Sequence, residues 1–536
     1  MKNQMLDRPH SLRQSMAWLH TWGGLMACWA LFAIFLTGTI CLFEGPITQW
    51  MKPERTERMI GHDGDYSSGR AVAFAQNELA KVARGAHYWT IGLPNEDDPD
   101  VRIYWLANSR REGLRLDPVN GARIPPGADR RTEGGYHFIT FHHEFHSGVV
   151  GSWIVGFLAM AMLTALVSGI IIHKRIFKDF FTFRPSKGQR SWLDAHNVAG
   201  VLTLPFQVMI AYTGLTLVYS LYMPAAILTN YPSKDAYSAD LLQKPAHREE
   251  SGIAAPVMPL DRLLPVAEAR LKQEISLIHV EHPGDSMASA FVYGPEPSAQ
   301  KQLAPGRGLI HFDAVTGAML DVRLPEMPRG GLAQLTQELL SALHEATFGG
   351  IIIKWLYFVA GIAGTVMIGS GAILFEVKRC QRVLGEFGGA TPRVYRLIEI
   401  LNIAAITGLA IACIGYFWAN RLIEADIAGR ADLEVRAFFM LWILGLVHAA
   451  ARPRRKAWIE QLAGIAMLCL LLPVLNAVTT GDHVIAQIGR GDWRNAGVEL
   501  VAIAFGLAAI GVIRVIWPKK AFSQSELRLA RMQAAK

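Results

Sequence analysis

The 536 residues are 51% hydrophobic and 18% charged, with a formal net charge of +8. That balance excludes a string of ordinary soluble domains and points to a polytopic α-helical membrane protein, whose apolar runs of about 20 residues cross roughly 30 Å of hydrocarbon. The basic residues fall in short loops, not in an aromatic-interleaved patch, which argues against nucleic acid, and the five cysteines form neither CxxC nor CxxCH, which excludes covalent c-type haem, iron–sulfur and zinc-ribbon motifs.

Residues 1–44 hold an N-terminal segment and a first span near 17–43. It is long, aromatic, carries His20 and lacks a small-residue cleavage site, so it reads as a retained helix, not a secretion signal. Residues 45–140 form a first hydrophilic domain, in which AVAFAQNELAKV has helical periodicity, VRIYWLA alternates as a strand and LRLDPVNGARI reads strand, turn, strand. Residues 141–222 contain the histidine-rich FHHEFHSG, a second span near 147–173, a basic loop and a third span near 196–222. Residues 223–342 form a second hydrophilic domain with the helix LDRLLPVAEARLKQ, the strand ASAFVYG and the hairpin LIHFDAVTGAML. A fourth span near 346–375 lies within 343–376, a basic loop occupies 377–396, and 397–517 carries accessory spans near 397–419, 435–451, 457–478 and 497–517. A basic tail, 518–536, closes the chain. If the spans alternate, the basic loops and the tail share one side, predicting cytoplasmic termini and periplasmic hydrophilic domains in a bacterial inner membrane.

The first half of the chain is written twice. Laid ungapped, WLHTWGG onward pairs His20 with His196, Gly24 with Gly200, and Thr37-Gly38 with Thr213-Gly214. FHHEFHSG and LHEATFGG pair His142 with His344, Gly148 with Gly350, Trp153 with Trp355, and Ser168-Gly169 with Ser370-Gly371. The turns DPVNG and DAVTG match too, with Asp117 and Asp313 placed to bind turn amides and Gly121 and Gly317 to supply the permissive backbone. The repeating unit is helix, hydrophilic domain, helix.

An ionisable group at membrane depth costs at least a few kcal/mol unless it is paired or coordinated, so the repeated histidines are the first functional candidates. In an up-down four-helix bundle, spans one and three are diagonal, as are two and four, so each histidine pair can grip one object. Two imidazoles facing across an apolar bundle suit haem iron, whereas zinc asks for three or four protein ligands and copper for added Cys or Met. The expectation is two non-covalent b-type haems, one near each face. Gly24, Gly200, Gly148 and Gly350 would let a flat macrocycle approach the backbone. On the cytoplasmic side the ligands expected are His20 and His196, with His173 of SGIIIHKR as a rival that has Phe375 in its repeat position. On the other side His344 faces a choice among His142, His143 and His146; symmetry favours His142, and depth favours His146, set one turn further in on the same helical face. The unused imidazoles are candidates for the haem surroundings, and His137 for the mouth of the bundle.

The paired domains, the WLH...TG and LDxHN...TG helices, LHE...G and SGIIIHKR resemble the bacterial PepSY-associated transmembrane proteins over roughly residues 10–380. The resemblance implies a di-haem inner-membrane reductase that passes electrons from a cytoplasmic or quinol donor to a ferric siderophore or other ferric chelate in the periplasm. The competing expectations are a non-redox sensor or binding module that uses the PepSY-like domains, and a transporter accessory protein. No GxGxxG sits between a strand and a helix, so flavin or nicotinamide chemistry is expected of a partner.

Overall fold

The computed structural model describes residues 11–61, 66–107, 109–173, 189–242, 247–296, 303, 306–325, 330–380, 386–452 and 454–517. The core of the basic loop after the second span, the end of KRCQR, and the tail fall outside the described residues. Seven helices are long and apolar enough to cross a membrane, and a bent pair makes an eighth crossing if it counts as one span. The chain is a multi-pass membrane protein.

Helix α1 (Leu12–Cys41) begins at a reciprocal cap: the Ser11 hydroxyl accepts from the Gln14 N–H at 3.4 Å, and the Gln14 side chain accepts from the Ser11 N–H at 2.9 Å. After α2 (Glu44–Met51), α3 (Pro53–Gly61) and α4 (Ser68–Val82) come β1 (Tyr88–Gly92), β2 (Val101–Ala107), β3 (Arg110–Leu116) and β4 (Arg123–Ile124). A short helix, α5 (Tyr136–Glu144), precedes the second span, α6 (Gly148–Ile172). The third span, expected as one helix, is instead α7 (Gln189–Leu202) and α8 (Leu204–Leu217), bent by 67°. Pro205, in the first turn of α8, has no N–H for the preceding turn and its ring crowds that turn. Trp29 occupies the matching place in α1, which runs through unbroken.

The second half follows the same order, with α9 (Tyr219–Tyr222), α10 (Pro224–Leu228), α11 (Lys234–Leu241) and α12 (Leu263–Leu271) ahead of β5 (Leu277–Glu281), β6 (Ser289–Tyr293), β7 (Leu309–Asp313) and β8 (Met319–Arg323). Helix α13 (Gly331–Glu345) then leads into the fourth span, α14 (Gly350–Cys380). The accessory helices are α15 (Thr391–Ile403) and α16 (Leu409–Leu422), joined by a π turn over Ala404–Gly408, then α17 (Arg430–Ala451), α18 (Arg454–Thr480), α19 (Val484–Gly489) and α20 (Trp493–Ile516).

The two hydrophilic domains, expected as separate folds, form one antiparallel sheet in the order β4-β3-β2-β1-β5-β6-β7-β8. Strands β1 and β5 pair from Tyr88 opposite Glu281 to Gly92 opposite Leu277. An antiparallel seam is what a two-fold relation between the copies requires, and it leaves no exposed edge at the middle of the sheet. Period-two alternation turns Trp89, Ile91, Ile278 and Val280 inward, where they share one core with Val72 and Leu79 of α4 and with Leu264 and Leu271 of α12. Both predicted turns form alike. The Asp117 carboxylate accepts from the Val119 and Asn120 amides, the Asp313 carboxylate from those of Val315 and Thr316, and Gly121 and Gly317 take φ of 71° and 75°.

The chain clusters into two compact units. The first contains the sheet, the helices up to Phe375 and the segment Glu424–Ala431; the second contains Arg184–Ser191, Glu376–Ile423 and Asp432 onward. Within the second unit, buried polar side chains run between helices. Arg421 donates to Asn476 at 2.8 Å and to Asn420; Asn420 donates to Glu434 at 2.8 Å and Asn476 to Glu499 at 2.7 Å.

Candidate functional site

Four histidines sit in four copies of one local arrangement. His20 Nδ1 lies 2.9 Å from the Ala165 carbonyl, His196 Nδ1 2.8 Å from Met367, His142 Nδ1 2.8 Å from Ile34 and His344 Nδ1 3.1 Å from Ile210. Each carbonyl belongs to the residue four before the glycine of a Thr-Gly or Ser-Gly pair: Gly169, Gly371, Gly38 and Gly214. Those glycines are where the rings rest. A Cβ on Gly38 would stand 2.6 Å from His142 Cε1, on Gly214 2.7 Å from His344 Cε1, on Gly371 3.0 Å from His196 Cε1 and on Gly169 3.3 Å from His20 Cε1. The hydroxyl beside each glycine is buried, and those of Ser168 and Thr213 also reach Nδ1 of His20 and His344, at 3.2 Å and 3.1 Å. The glycines facing the imidazoles are thus those of the TG and SG pairs, distinct from Gly24, Gly200, Gly148 and Gly350, which were expected to let a macrocycle approach the backbone.

A carbonyl oxygen only accepts, so in each neutral imidazole the proton sits on Nδ1 and Nε2 keeps the lone pair. A hydrogen bond of this kind, from the ring nitrogen that does not face the metal, orients metal-ligating histidines generally. The rings meet in two pairs: His20 with His196, centroids 6.2 Å apart, and His142 with His344, centroids 6.1 Å apart. Fourteen residues of α1 separate His20 from Ile34, which carries the His142 contact, so the pairs stand roughly 20 Å apart along the helix.

Of the other predicted ligands, His143 and His146 turn away from the ring pairs, while His173 stays near enough to His196 to act on its charge. His173 is the C-cap of α6, its N–H bonded to the Gly169 carbonyl at 3.1 Å. His143 turns back onto its own helix, with Nδ1 2.7 Å from the Ile139 carbonyl and its side chain 42% exposed beside Glu144. His146 does not share a face with His142, because α5 ends at Glu144 and Phe145 and His146 take left-handed φ of 49° and 52°. That reversal carries His146 away from His344 and onto His137, Nε2 to Nδ1 at 2.9 Å with the rings stacked at 4.9 Å. Burial, then the neighbouring His146, pushes the His137 imidazole down to about 3.

Each ring pair could hold one metal ion, such as a haem iron, between its imidazoles. With a metal–imidazole bond of about 2 Å, two rings that share one metal on opposite faces hold their centres roughly 6 Å apart. Among the described residues no third His, Cys, Asp or Glu completes a ligand trio with either pair, so a closed zinc set is not built there. Gly24, one turn beyond His20, has no heavy atom within 4 Å of its Cβ position, whereas a Cβ on its repeat partner Gly200 would stand 3.1 Å from Met367 Sδ.

The family model of the PepSY-associated TM region matches residues 17–378. The chain belongs to that family. All four ring-paired histidines and the whole eight-stranded sheet fall inside the matched region, while α15 to α20 follow it. An uncharacterized protein of Pseudomonas aeruginosa is 22% identical over 389 residues, covering 69% of this chain and 92% of its own length.

Proposed function

We propose that this PepSY-family protein carries electrons across the membrane through two b-type haems and reduces a ferric siderophore or similar ferric chelate on the sheet-domain side. The observation that carries the reading is the fourfold recurrence of His Nδ1 bonded to the carbonyl four residues before a ring-facing glycine. His20 and His196 would hold one haem, His142 and His344 the other. Haem iron, when bound, passes single electrons by cycling between its ferric and ferrous states. The protein's part is to orient each imidazole through its carbonyl, to keep Nε2 as a neutral donor and to exclude water with the apolar spans. With the bent pair counted as one span the crossings number eight, and both termini would then lie on one side, read as the cytoplasm of a bacterial inner membrane, where a cytoplasmic or quinol donor would supply the electrons. On the sheet domain a cleft lined by Lys52, Arg55, Arg115, Arg130 and Arg131, and by Asp129, which pairs with Arg55 and Arg115, would be the docking place of an anionic chelate. Iron(II) binds such chelators more weakly, so reduction would release it.

The test is the absorption spectrum of the full chain purified in detergent after expression with ample haem. Two dithionite-reducible b-type haems per chain are expected, with His344→Ala or His142→Ala each losing one and His146→Ala none. A colourless preparation sinks the reading and leaves a non-redox binding module.

A further inference from the structure

Among the described residues, one cluster of ligand-type side chains stands outside the four-histidine arrangement. Glu133, His137 and His146 each place one donor atom within 4.8 Å of the others. His137 is fully buried, and the Glu133 Oε2 is buried with no hydrogen-bond donor against it. Such an oxygen carries a desolvation cost that a bound cation would offset. The group sits at the end of α5, where Phe145 and His146 hold left-handed φ, as Ala346 does at the end of α13.

The duplication separates this cluster from the haem ligands. At the matching positions of the second copy stand Leu335, Leu339 and Phe348, three apolar residues for three polar ones, while His142 keeps its partner position in His344. If the trio served the common fold or the common histidine pair, the second copy would need it as well. It therefore answers a demand made on the first copy alone.

We propose that Glu133, His137 and His146 form a binding site for a first-row divalent transition-metal ion. Two imidazoles and one carboxylate are the donor set of an open metal site, with a coordination position left for water or an incoming ligand. The two nitrogens already stand 2.9 Å apart, and tetrahedral coordination at bonds of about 2 Å needs roughly 3.3 Å between them, so an ion replaces the shared proton with a shift of a few tenths of an ångström. The inference is independent of haem binding, because none of the three residues belongs to either ring pair.

The experiment uses the full-length protein in detergent, stripped with EDTA and dialysed, then titrated with Zn²⁺ by calorimetry and with Co²⁺ by visible absorption, with metal content counted by mass spectrometry. One ion per chain is expected, with affinity reduced about tenfold or more in Glu133→Gln and in His146→Phe, the latter copying the residue of the second repeat. His143→Ala, one turn away and exposed, and His142→Ala, which opens the neighbouring pair, keep the ion. Binding that is the same in wild type, Glu133→Gln and His146→Phe overturns the proposal, as does a wild type that takes up no ion.

Discussion

At the residue scale, the glycines of the TG and SG pairs decide more than the histidines do. A histidine at membrane depth is visible in any sequence, but its ring needs a floor, and the floor here is a helix face without a Cβ. The consequence is sharp at Gly214. Gly214→Ala places a methyl group 2.7 Å from His344 Cε1, closer than the two carbons can approach, so the imidazole must leave its carbonyl and its partner ring. The expected outcome is a drop from two haems to one, read by pyridine haemochrome assay, in a chain that still inserts. Gly497→Ala, where a Cβ meets nothing within 4 Å, keeps both. Retention of two haems in Gly214→Ala would mean that the floor is not what positions the ring. The choice between His142 and His146 shows where legibility stopped. Repeat symmetry already favoured His142, whereas the helical-face argument for His146 assumed that α5 ran on past Glu144. The left-handed turn at Phe145 is invisible to periodicity because neither residue there is glycine.

At the element scale, a charged knot fastens α3 to the sheet domain. Asp129 pairs with Arg55 at 2.9 Å, with Arg58 at 2.7 Å and with Arg115 on β3, which also holds Asp100 at 2.9 Å. Burial alone would raise the Asp129 carboxyl, but the bonds from Arg58, Arg55 and Arg115 outweigh it and hold the group well below the usual carboxylate range. A depressed folded value means that the unfolded chain takes up the proton first. The stabilisation is therefore complete above the unfolded value of about 4 and is lost as pH falls below it. Asp100 moves the other way, raised by burial first, so the measurement has to be a difference. Thermal unfolding of wild type and Asp129→Asn should diverge most at pH 6 to 7 and converge toward pH 2; parallel curves across that range would remove Asp129 from the account. Strand periodicity and the DPVNG and DAVTG turns foretold the hairpins of this domain. The β1–β5 seam was beyond reach, since nothing local to Tyr88–Gly92 says that its partner lies beyond residue 270.

At the scale of the whole molecule, the family match ends at residue 378 and the second unit takes up most of the chain beyond it. The sequence offered apolar runs there and no chemistry, because the polar residues that matter are single letters scattered from 420 to 499 that meet only in three dimensions. Arg421, Glu434 and Glu499 are each buried, at 6%, 0% and 0% exposure, and they communicate through Asn420 and Asn476. A charge buried among membrane helices is tolerated when its hydrogen bonds are complete, and removing one partner leaves the rest uncompensated. Arg421→Leu strips the donor that both asparagines accept from and should cost about 3–5 kcal/mol. Glu499→Gln keeps an acceptor for Asn476 and should cost much less. The readout is the detergent-dependent thermal denaturation of the full chain alongside its haem content. If the second unit is an independent accessory, Arg421→Leu lowers its melting transition while the ring pairs of the first unit keep whatever they bind. If haem content falls with it, the last helices are part of what holds the His20–His196 and His142–His344 pairs in place.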